Sequence, residues 1–385
     1  MEHINQHIPT GYKLSPLGII PEDWEVKRLG EICTHFKSGI TITSKDIHDD
    51  GLYPVYGGNG LRGYANTYTH DGDYILIGRQ GALCGNINYV EGKNYISEHA
   101  IAVKTNENMQ WLKYKLVNWN LNRFSESSAQ PGLSVEKLVR YKLSIPTRFE
   151  QNKIAGILSL WDTAISKQTA LIEKLTLRKR GLMQQLLTGK KRLKGFEGDN
   201  FNRLGNYISE YNRRNAGCNR VLSVTNTRGF ILQEEQFDKI VASNDTSNYK
   251  VVRRGEFAYN PSRVNVGSLA MLKEYDEGIL SPMYIVFKAN ENIDKTYLLQ
   301  CLQSWWFRGH IPAYTQGSVR DSLSFDGLCS MKFYIPTLQE QKAISAILER
   351  ADKEIEIHKQ KLAAMQAQKK GLMQVLLTGK KRIKE

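Results

Sequence analysis

No stretch of this 385-residue chain approaches the roughly 18 consecutive apolar residues that a membrane-spanning helix needs. Its first residues, Met1-Glu2-His3-Ile4-Asn5, carry neither the basic start nor the apolar run of a signal peptide. A cytoplasmic protein that meets no membrane is expected. Cysteine is scarce: Cys33, Cys84, Cys218, Cys301 and Cys329 are odd in number, scattered and never in a C-x-x-C arrangement, which disfavours a disulfide framework and a zinc site. They read as reduced packing residues. Acidic side chains are also short, 39 against 53 Lys plus Arg, for a formal net charge of +14. With 41% hydrophobic and 10% aromatic residues the chain is no disordered basic tail. A basic excess on folded domains suits a polyanion, because it steers association and replaces condensed counterions.

Catalytic sets are lacking as well. Tyr259-Asn260-Pro261-Ser262 is only faintly like the Asn-Pro-Pro-Tyr loop of amino-methyltransferases. The second proline and the aromatic are missing, as is any glycine-rich cofactor strand. Pro21-Glu22 with Glu25-Val26-Lys27 leaves no room for the two strands that carry nuclease metal ligands. Gly181 to Lys190 is no phosphate loop, since its glycines lie too far apart and no Ser or Thr follows the lysine. His3 and His7 have helical spacing but no carboxylate geometry. No catalytic residue, metal ligand or cofactor is expected in this chain.

What the chain does have is a repeat. Residues 145–194 match 335–384 without a gap, at an offset of 190. Ile145-Pro146-Thr147 recurs as Ile335-Pro336-Thr337, Glu150-Gln151 as Glu340-Gln341, and Gly181-Leu182-Met183-Gln184 through Arg192 as Gly371 through Arg382. Apolar positions alternate by four and three. They run through Ile154, Leu158, Trp161, Ile165, Ile172, Leu175, Leu182 and Leu186, then Ile344, Leu348, Ala351, Ile355, Leu362, Met365, Leu372 and Leu376. That is a coiled-coil seam. Each helix follows an Ile-Pro step and ends at Thr-Gly, where glycine can take the left-handed C′ conformation. About 40 residues make a rod of about 60 Å. Polar residues break the seam in register, Gln168 with His358 and Lys179 with Lys369. Such breaks either fix alignment or sit solvated at a splayed end.

The preceding segments are duplicated more loosely, with Arg28-Leu29-Gly30 matching Arg203-Leu204-Gly205 and Leu133-Ser134 matching Leu323-Ser324. The chain therefore divides into an N-terminal segment (1–23), a first globule (24–146), a central helix (147–194), a second globule (195–336) and a C-terminal helix (337–385). Both globules are predicted to be α+β. Strands are expected at 74–77, 87–90 and 100–103 with a helix over 111–118, then at 221–224, 256–259, 267–272 and 283–287 with a helix over 296–306. Their loops offer the side chains that reach base edges: Tyr56, Asn59, Arg62, Arg79 and Gln80 in the first, and Asn226, Arg228, Tyr259, Asn260, Ser262, Arg263 and Asn265 in the second. Taken alone the glycine-rich loops are ordinary hairpin turns; their matching placement turns them into candidates. Arg213, Arg214 and the Lys190–Lys194 and Lys380–Lys384 clusters suit phosphates or an acidic partner, or are solvated ends favourably set against the helix dipole.

These residues resemble a known family, the DNA-specificity subunits of type I restriction–modification systems. The likeness rests on Gly11-Tyr12-Lys13 with Leu17-Gly18-Ile19-Ile20-Pro21, Trp24 and Leu29-Gly30. It rests also on Ile77-Gly78-Arg79-Gln80-Gly81 with Ile96-Ser97-Glu98-His99, and on the twin Gly-Leu-Met-Gln-x-Leu-Leu-Thr-Gly-Lys ends. The resemblance implies that each globule is a target recognition domain reading one half of a split double-stranded DNA site. It implies that the helices pack antiparallel with pseudo-twofold symmetry, set the spacer and dock two modification subunits. S-adenosylmethionine, ATP and Mg are then expected on partner subunits, two modification (adenine-N6 methyltransferase) and two restriction (translocase/nuclease) subunits. The rival classes are a self-contained DNA modification enzyme and a nonspecific nucleic-acid-binding scaffold.

Overall fold

The computed structural model describes residues 8–81, 83–125, 132–198, 200–236, 245–315 and 322–383. His3 and His7 lie outside them. The chain forms two compact units, Met1–Thr169 with Gln360–Glu385 and Ala170–Lys359. Each unit thus holds one globule, the first half of the long helix that follows it, and the second half of the other long helix.

Unit 1 is built on a four-stranded antiparallel sheet of β1 (Cys33–Ser38), β2 (Tyr74–Gly78), β3 (Ile87–Val90) and β4 (Ala100–Thr105), ordered β1-β4-β2-β3. Strand alternation sends Ile75, Ile77, Ile101 and Val103 into a core shared with Trp111, Leu112 and Leu116 of the helix Met109–Trp119. Leu76, Ala100 and Ala102 face the other way, onto Val90 and Ile96. Both faces of the central strands β2 and β4 are covered, so these two are mostly apolar, whereas the edge strand β1 is mixed.

Unit 2 repeats the plan with β5 (Ile208–Glu210), β6 (Phe257–Tyr259), β7 (Leu269–Met271) and β8 (Ile285–Ala289), ordered β5-β8-β6-β7. Here Phe257, Tyr259 and Phe287 enter the helix-side core while Ala258, Ala270 and Val286 face the opposite one. The helix predicted over 296–306 stops at Gln303, because the Ser304 hydroxyl accepts from Phe307 N at 3.1 Å and starts a new short helix, Trp305–His310. The glycine-rich stretch 53–62 is largely strand: Tyr53–Gly57 pairs with Gly60–Ala65.

The long helices span Arg148–Leu186 and Leu338–Leu376, 39 residues each. Gly189 and Gly379 follow them with φ of 69° and 74°, the left-handed stop that the sequence anticipates. All seam positions named above are buried or half-buried, whereas Leu160, Leu177 and Ile357 lie off the seam and are exposed. In unit 1, Ile154 and Leu158 share a core with Leu372, Met373 and Leu376. In unit 2, Leu182 and Leu186 pack with Ile344 and Leu348.

The lysines that interrupt the seam have partners. Lys369 donates to Asp162 in unit 1, and Lys179 to Asp352 at 2.6 Å in unit 2, each lysine side chain being 18% exposed. Asp162 and Asp352 are related by the same offset of 190 as the lysines. Within each unit the paired numbers run in opposite senses, as Arg178–Glu354 beside Lys179–Asp352 also requires, so each half-pair is antiparallel. These lysines are paired across the helices and largely covered, not solvated at a splayed end. Gln168 is buried as well.

The motifs flanking the helices close on each other. Glu150, 1% exposed, accepts from Trp24 Nε1 at 2.7 Å, from Arg382 Nε at 3.1 Å and from Ile383 N at 3.0 Å, and Arg382 also reaches Asp23 at 2.6 Å. In unit 2, Glu340 accepts from Arg192 Nε and Nη2 at 3.1 and 2.7 Å, with Tyr334 Oη at 3.4 Å. The neighbouring glutamines tie helix start to globule. Gln151 Oε1 accepts from Asn108 N at 2.9 Å and Gln341 Oε1 from Asp294 N at 2.7 Å, each partner being the N-cap of a short helix. Arg192 and Arg382, read from sequence within basic clusters suited to phosphate or an acidic partner, are instead held inside their own units.

Unit 1 also buries a lysine. Lys115 donates to the Leu377 carbonyl at 2.6 Å, at the end of the second long helix, and to Ser144 Oγ at 3.1 Å. Burial pulls its pKa down from 10.5 to about 8. Below pH 8 the group is protonated in both folded and unfolded chains and its buried charge is a standing cost. Between pH 8 and 10.5 the folded chain releases the proton first, so stability rises with pH across that window. The difference between the denaturation curves of the natural chain and Lys115→Met, measured at about pH 8 and about pH 10, within that window, is expected to show this gain. Parallel pH dependence in the two would rule it out.

Candidate nucleic-acid interface

In unit 1 three segments converge beside the end of β2. The hairpin register pairs Gly57 with Gly60, leaving Gly58-Asn59 as a two-residue turn with Asn59 exposed at its tip. Glycine is needed at the convergence: a Cβ on Gly78 would stand 2.5 Å from the Gly58 carbonyl, and one on Gly58 2.9 Å from the His99 carbonyl. Arg79 N donates to that same His99 carbonyl at 2.9 Å, and His99 Nδ1 lies 3.0 Å from Gln80 Oε1. The Arg62 side chain lies over Gly57, where an added Cβ would meet its Cδ at 2.6 Å. Tyr56 is half-buried against the Leu76 core. Tyr56, Asn59, Arg62, Arg79 and Gln80 are thus gathered around one glycine-lined junction, and Asn59, Arg62 and Gln80 face solvent.

In unit 2 the hairpin Leu222–Thr225 with Gly229–Leu232 turns through Asn226-Thr227-Arg228, all exposed. Gly229 has a φ of 66°, and the Thr225 hydroxyl accepts from Arg228 N at 3.1 Å, which fixes the turn. The second loop follows β6. Asn260, 8% exposed, accepts from Ser262 N at 3.1 Å, and Asn265 from Val266 N at 2.8 Å. Ser262, Arg263 and Asn265 are exposed. Gly267 sits between the two loops, since a Cβ there would lie 3.2 Å from Asn226 Cβ and 3.4 Å from Arg308 Nη2. A cavity of about 290 Å³ opens at this junction, lined by Asn226, Gly267, Arg308 and Lys179 among others.

Tyr259 is not a loop residue. It is fully buried in β6, its hydroxyl donating to the Leu323 carbonyl at 3.1 Å, because strand alternation turns it inward with Phe257. Asn260 builds the turn and is largely covered. Two neighbours of the exposed groups were not singled out from sequence. His99 belongs to a motif quoted above but carries no signal of its own, and Arg308 follows two tryptophans in what reads as a core helix.

The two globules put these loops at the same structural point. The Arg79 carbonyl accepts from Leu133 N at 2.9 Å and the Pro261 carbonyl from Leu323 N at 3.1 Å, and Leu133 and Leu323 are repeat partners at an offset of 190. Each leucine precedes a serine that caps a short helix, Ser134 accepting from Lys137 N and Ser324 from Gly327 N. The scaffold is held constant while Gly-Arg-Gln-Gly in one globule becomes Asn-Pro-Ser-Arg in the other.

Among the described residues there is no cluster of three potential metal ligands, and no helix is long and apolar enough to cross a membrane. The sequence pattern of the Type I restriction modification DNA specificity domain matches residues 21–177 and 224–367. The type I restriction enzyme EcoprrI specificity subunit of Escherichia coli is 42% identical over 149 residues, 37% of this chain and 37% of that relative, so this match spans little more than a third of it. The MjaVIII specificity subunit of Methanocaldococcus jannaschii is 25% identical over 95% of this chain and 94% of its own length. Among solved structures, a type I restriction–modification S subunit from M. genitalium has a TM-score of 0.59 at 14% identity, covering 94% of this chain and 97% of that one, a likeness of fold. With both repeats matched by the domain pattern, the chain belongs to the family of type I restriction–modification DNA-specificity subunits.

Proposed function

We propose that each globule reads one half of a bipartite site on double-stranded DNA. Arg62, Arg79, Asn59 and Gln80, with Tyr56 beside them, would meet one half, and Asn226, Arg228, Ser262, Arg263 and Asn265 the other. The observation that carries this reading is the pair of loops set on matched hydrogen bonds from Leu133 and Leu323 yet bearing different side chains. A shared scaffold with unlike readers suits two half-sites of unlike sequence. Arginine, asparagine and glutamine can each contact a base edge through two hydrogen bonds, worth about 1–3 kcal/mol of discrimination apiece.

Family membership makes the chain a recognition subunit that brings methyltransferase subunits to DNA and supplies no catalytic group itself. In the full assembly the long helices would dock two modification subunits carrying S-adenosylmethionine. Two restriction subunits would add ATP- and Mg-dependent translocation and cleavage. The clasps at Glu150 and Glu340 support such a frame, since they tie each helix start to the returning end of the other long helix.

Sequencing methylated adenines in DNA from cells that carry this chain with its modification partner gives the site directly. Replacing Arg79 and Gln80 by alanine is expected to relax one half-site, and replacing Asn226 and Arg263 to relax only the other. Random duplex should compete about 10³-fold less well than the site. Loss of both halves from either pair, or equal competition by random duplex, would defeat the reading.

A further inference from the structure

The matching helix ends are finished differently in the two units. In unit 1 the end of the second long helix is roofed by the N-terminal hairpin Tyr12–Ser15 with Gly18–Pro21. Tyr12 Oη donates to the Gly379 carbonyl at 2.9 Å, and a Cβ on Gly379 would meet the Pro21 ring at 2.6 Å and Trp24 at 3.3 Å. Asp23 adds its ion pair to Arg382. The roof is therefore a proline and a tryptophan set among carboxylates, Ile20-Pro21-Glu22-Asp23-Trp24-Glu25.

In unit 2 the Tyr334 ring takes the place against Gly189, where a Cβ would meet it at 2.8 Å. Beyond that ring the helix end stays open. A groove of about 830 Å³ runs there between residues 176–190, the end of the first long helix and the turn after it, and the segment 303–308, floored by Leu187, Phe333 and Tyr334. Its rim carries large apolar rings in water: Trp305 is 75% exposed and Phe201 53%. Trp306, half-buried, is held by stacking on His310 at 4.1 Å between ring centres. The charged residues lining the groove are Lys179, Arg180, Lys190 and Arg308, with no carboxylate among them. Lys179 is neutralised by Asp352; among the described residues Arg180, Lys190 and Arg308 have no acidic partner within ion-pair distance. Exposed tryptophan beside arginine is the composition of an interface anchor rather than of ordinary surface.

We propose that this groove docks a protein partner through a short segment in which a proline and an aromatic anchor are flanked by carboxylates. Residues 20–25 are such a set of anchors and acids; in unit 1 they act on Gly379 and Arg382, whose counterparts Gly189 and Arg192 are met here by Tyr334 and Glu340, so the likeness is of chemistry and not of position. Apolar anchors fill the space between Trp305, Phe201 and Leu187, while the flanking carboxylates meet Arg180, Lys190 and Arg308. Duplex DNA presents phosphates and base edges and has nothing to fill an apolar groove of this size; an unstacked single strand is the nucleic-acid alternative. Arg308 also lines the cavity beside Asn226, but Trp305 and Arg180 do not, so failure of the proposal at those two residues leaves the reading of half-sites untouched.

The test uses the full chain and a fluorescein-labelled peptide with the sequence of residues 16–25, followed by anisotropy. In a second peptide the three acids are neutralised by Glu22→Gln, Asp23→Asn and Glu25→Gln, and an oligo-dT strand serves as competitor. Saturable binding is expected, weakened about tenfold or more by Trp305→Ala, by Arg180→Glu and by neutralising the peptide, and not displaced by oligo-dT. Trp305 and Arg180 are exposed, so both variants should keep the fold, which circular dichroism checks. Because both lie in unit 2, they distinguish this groove from the seat in unit 1 that the chain's own segment fills. Binding weaker than about 1 mM, equal binding by both variants, or displacement by oligo-dT would overturn the proposal.

Discussion

Replacing Glu150 by alanine is expected to destabilise unit 1 by about 3–5 kcal/mol, the cost of removing one partner from a buried ion pair. Glu150 is almost wholly inaccessible and serves three donors at once, Trp24 Nε1, the Arg382 guanidinium and Ile383 N. Its loss leaves an indole N–H and a backbone N–H without their acceptor and a mostly covered guanidinium with Asp23 alone. For a unit of this size the change corresponds to a fall in midpoint of roughly 10 °C. Glu150→Gln retains shape and one acceptor oxygen and should fall between the two. Glu340→Ala is expected to repeat the result in unit 2, where Arg192 makes two bonds to the same carboxylate. Thermal denaturation followed by circular dichroism decides it. A loss under ~1 kcal/mol, the size of an exposed pair, would show that the clasp opens to water and contributes little.

A chain ended after residue 194 should pair with a second copy of itself. Unit 1 needs the segment Gln360–Glu385, and the residues through which it is used are Lys369, Leu372, Met373, Leu376, Leu377, Gly379 and Arg382. At an offset of 190 the same chain carries Lys179, Leu182, Met183, Leu186, Leu187, Gly189 and Arg192, identical at every one of these positions. Lys179 of one copy can therefore meet Asp162 of the other, and Arg192 can meet Glu150, twice over in a symmetric dimer. Sedimentation equilibrium is expected to give a dimer, and Lys179→Glu in the truncated chain to shift it towards monomer by setting two acids face to face. A stable monomeric fragment would mean that the remaining differences, such as Thr176 and Leu177 where the second copy has Gln366 and Ala367, decide the pairing.

The helical frame was legible because burial along a coiled coil recurs every three or four residues, and seam residues such as Leu158 and Leu348 could be read off that period. The role of Lys179 and Lys369 was not. Their partners Asp162 and Asp352 are distant in sequence and look like ordinary exposed acids until the antiparallel alignment brings them opposite. Arg192 and Arg382 were hidden for the same reason: nothing local says that a basic cluster after a helix will fold back on a buried glutamate. Tyr259 was misplaced because β6 has three residues, too few to display its alternation, and the following Asn-Pro-Ser drew it into the loop. In the loops themselves the glycines were informative, since Gly58 and Gly78 mark the close backbone approach that gathers Arg79, Gln80 and Arg62.

The aspartate–lysine pairs of the long helices also decide what the frame refuses. Each helix sets an aspartate in its first half and a lysine towards its end on the seam, Asp162 with Lys179 and Asp352 with Lys369. Laid side by side in the same direction, the helices would set acid against acid and ammonium against ammonium in half-covered positions, a repulsive arrangement at both ends. Two helices with the same apolar seam, which alone would tolerate either orientation, are thereby limited to the head-to-tail one.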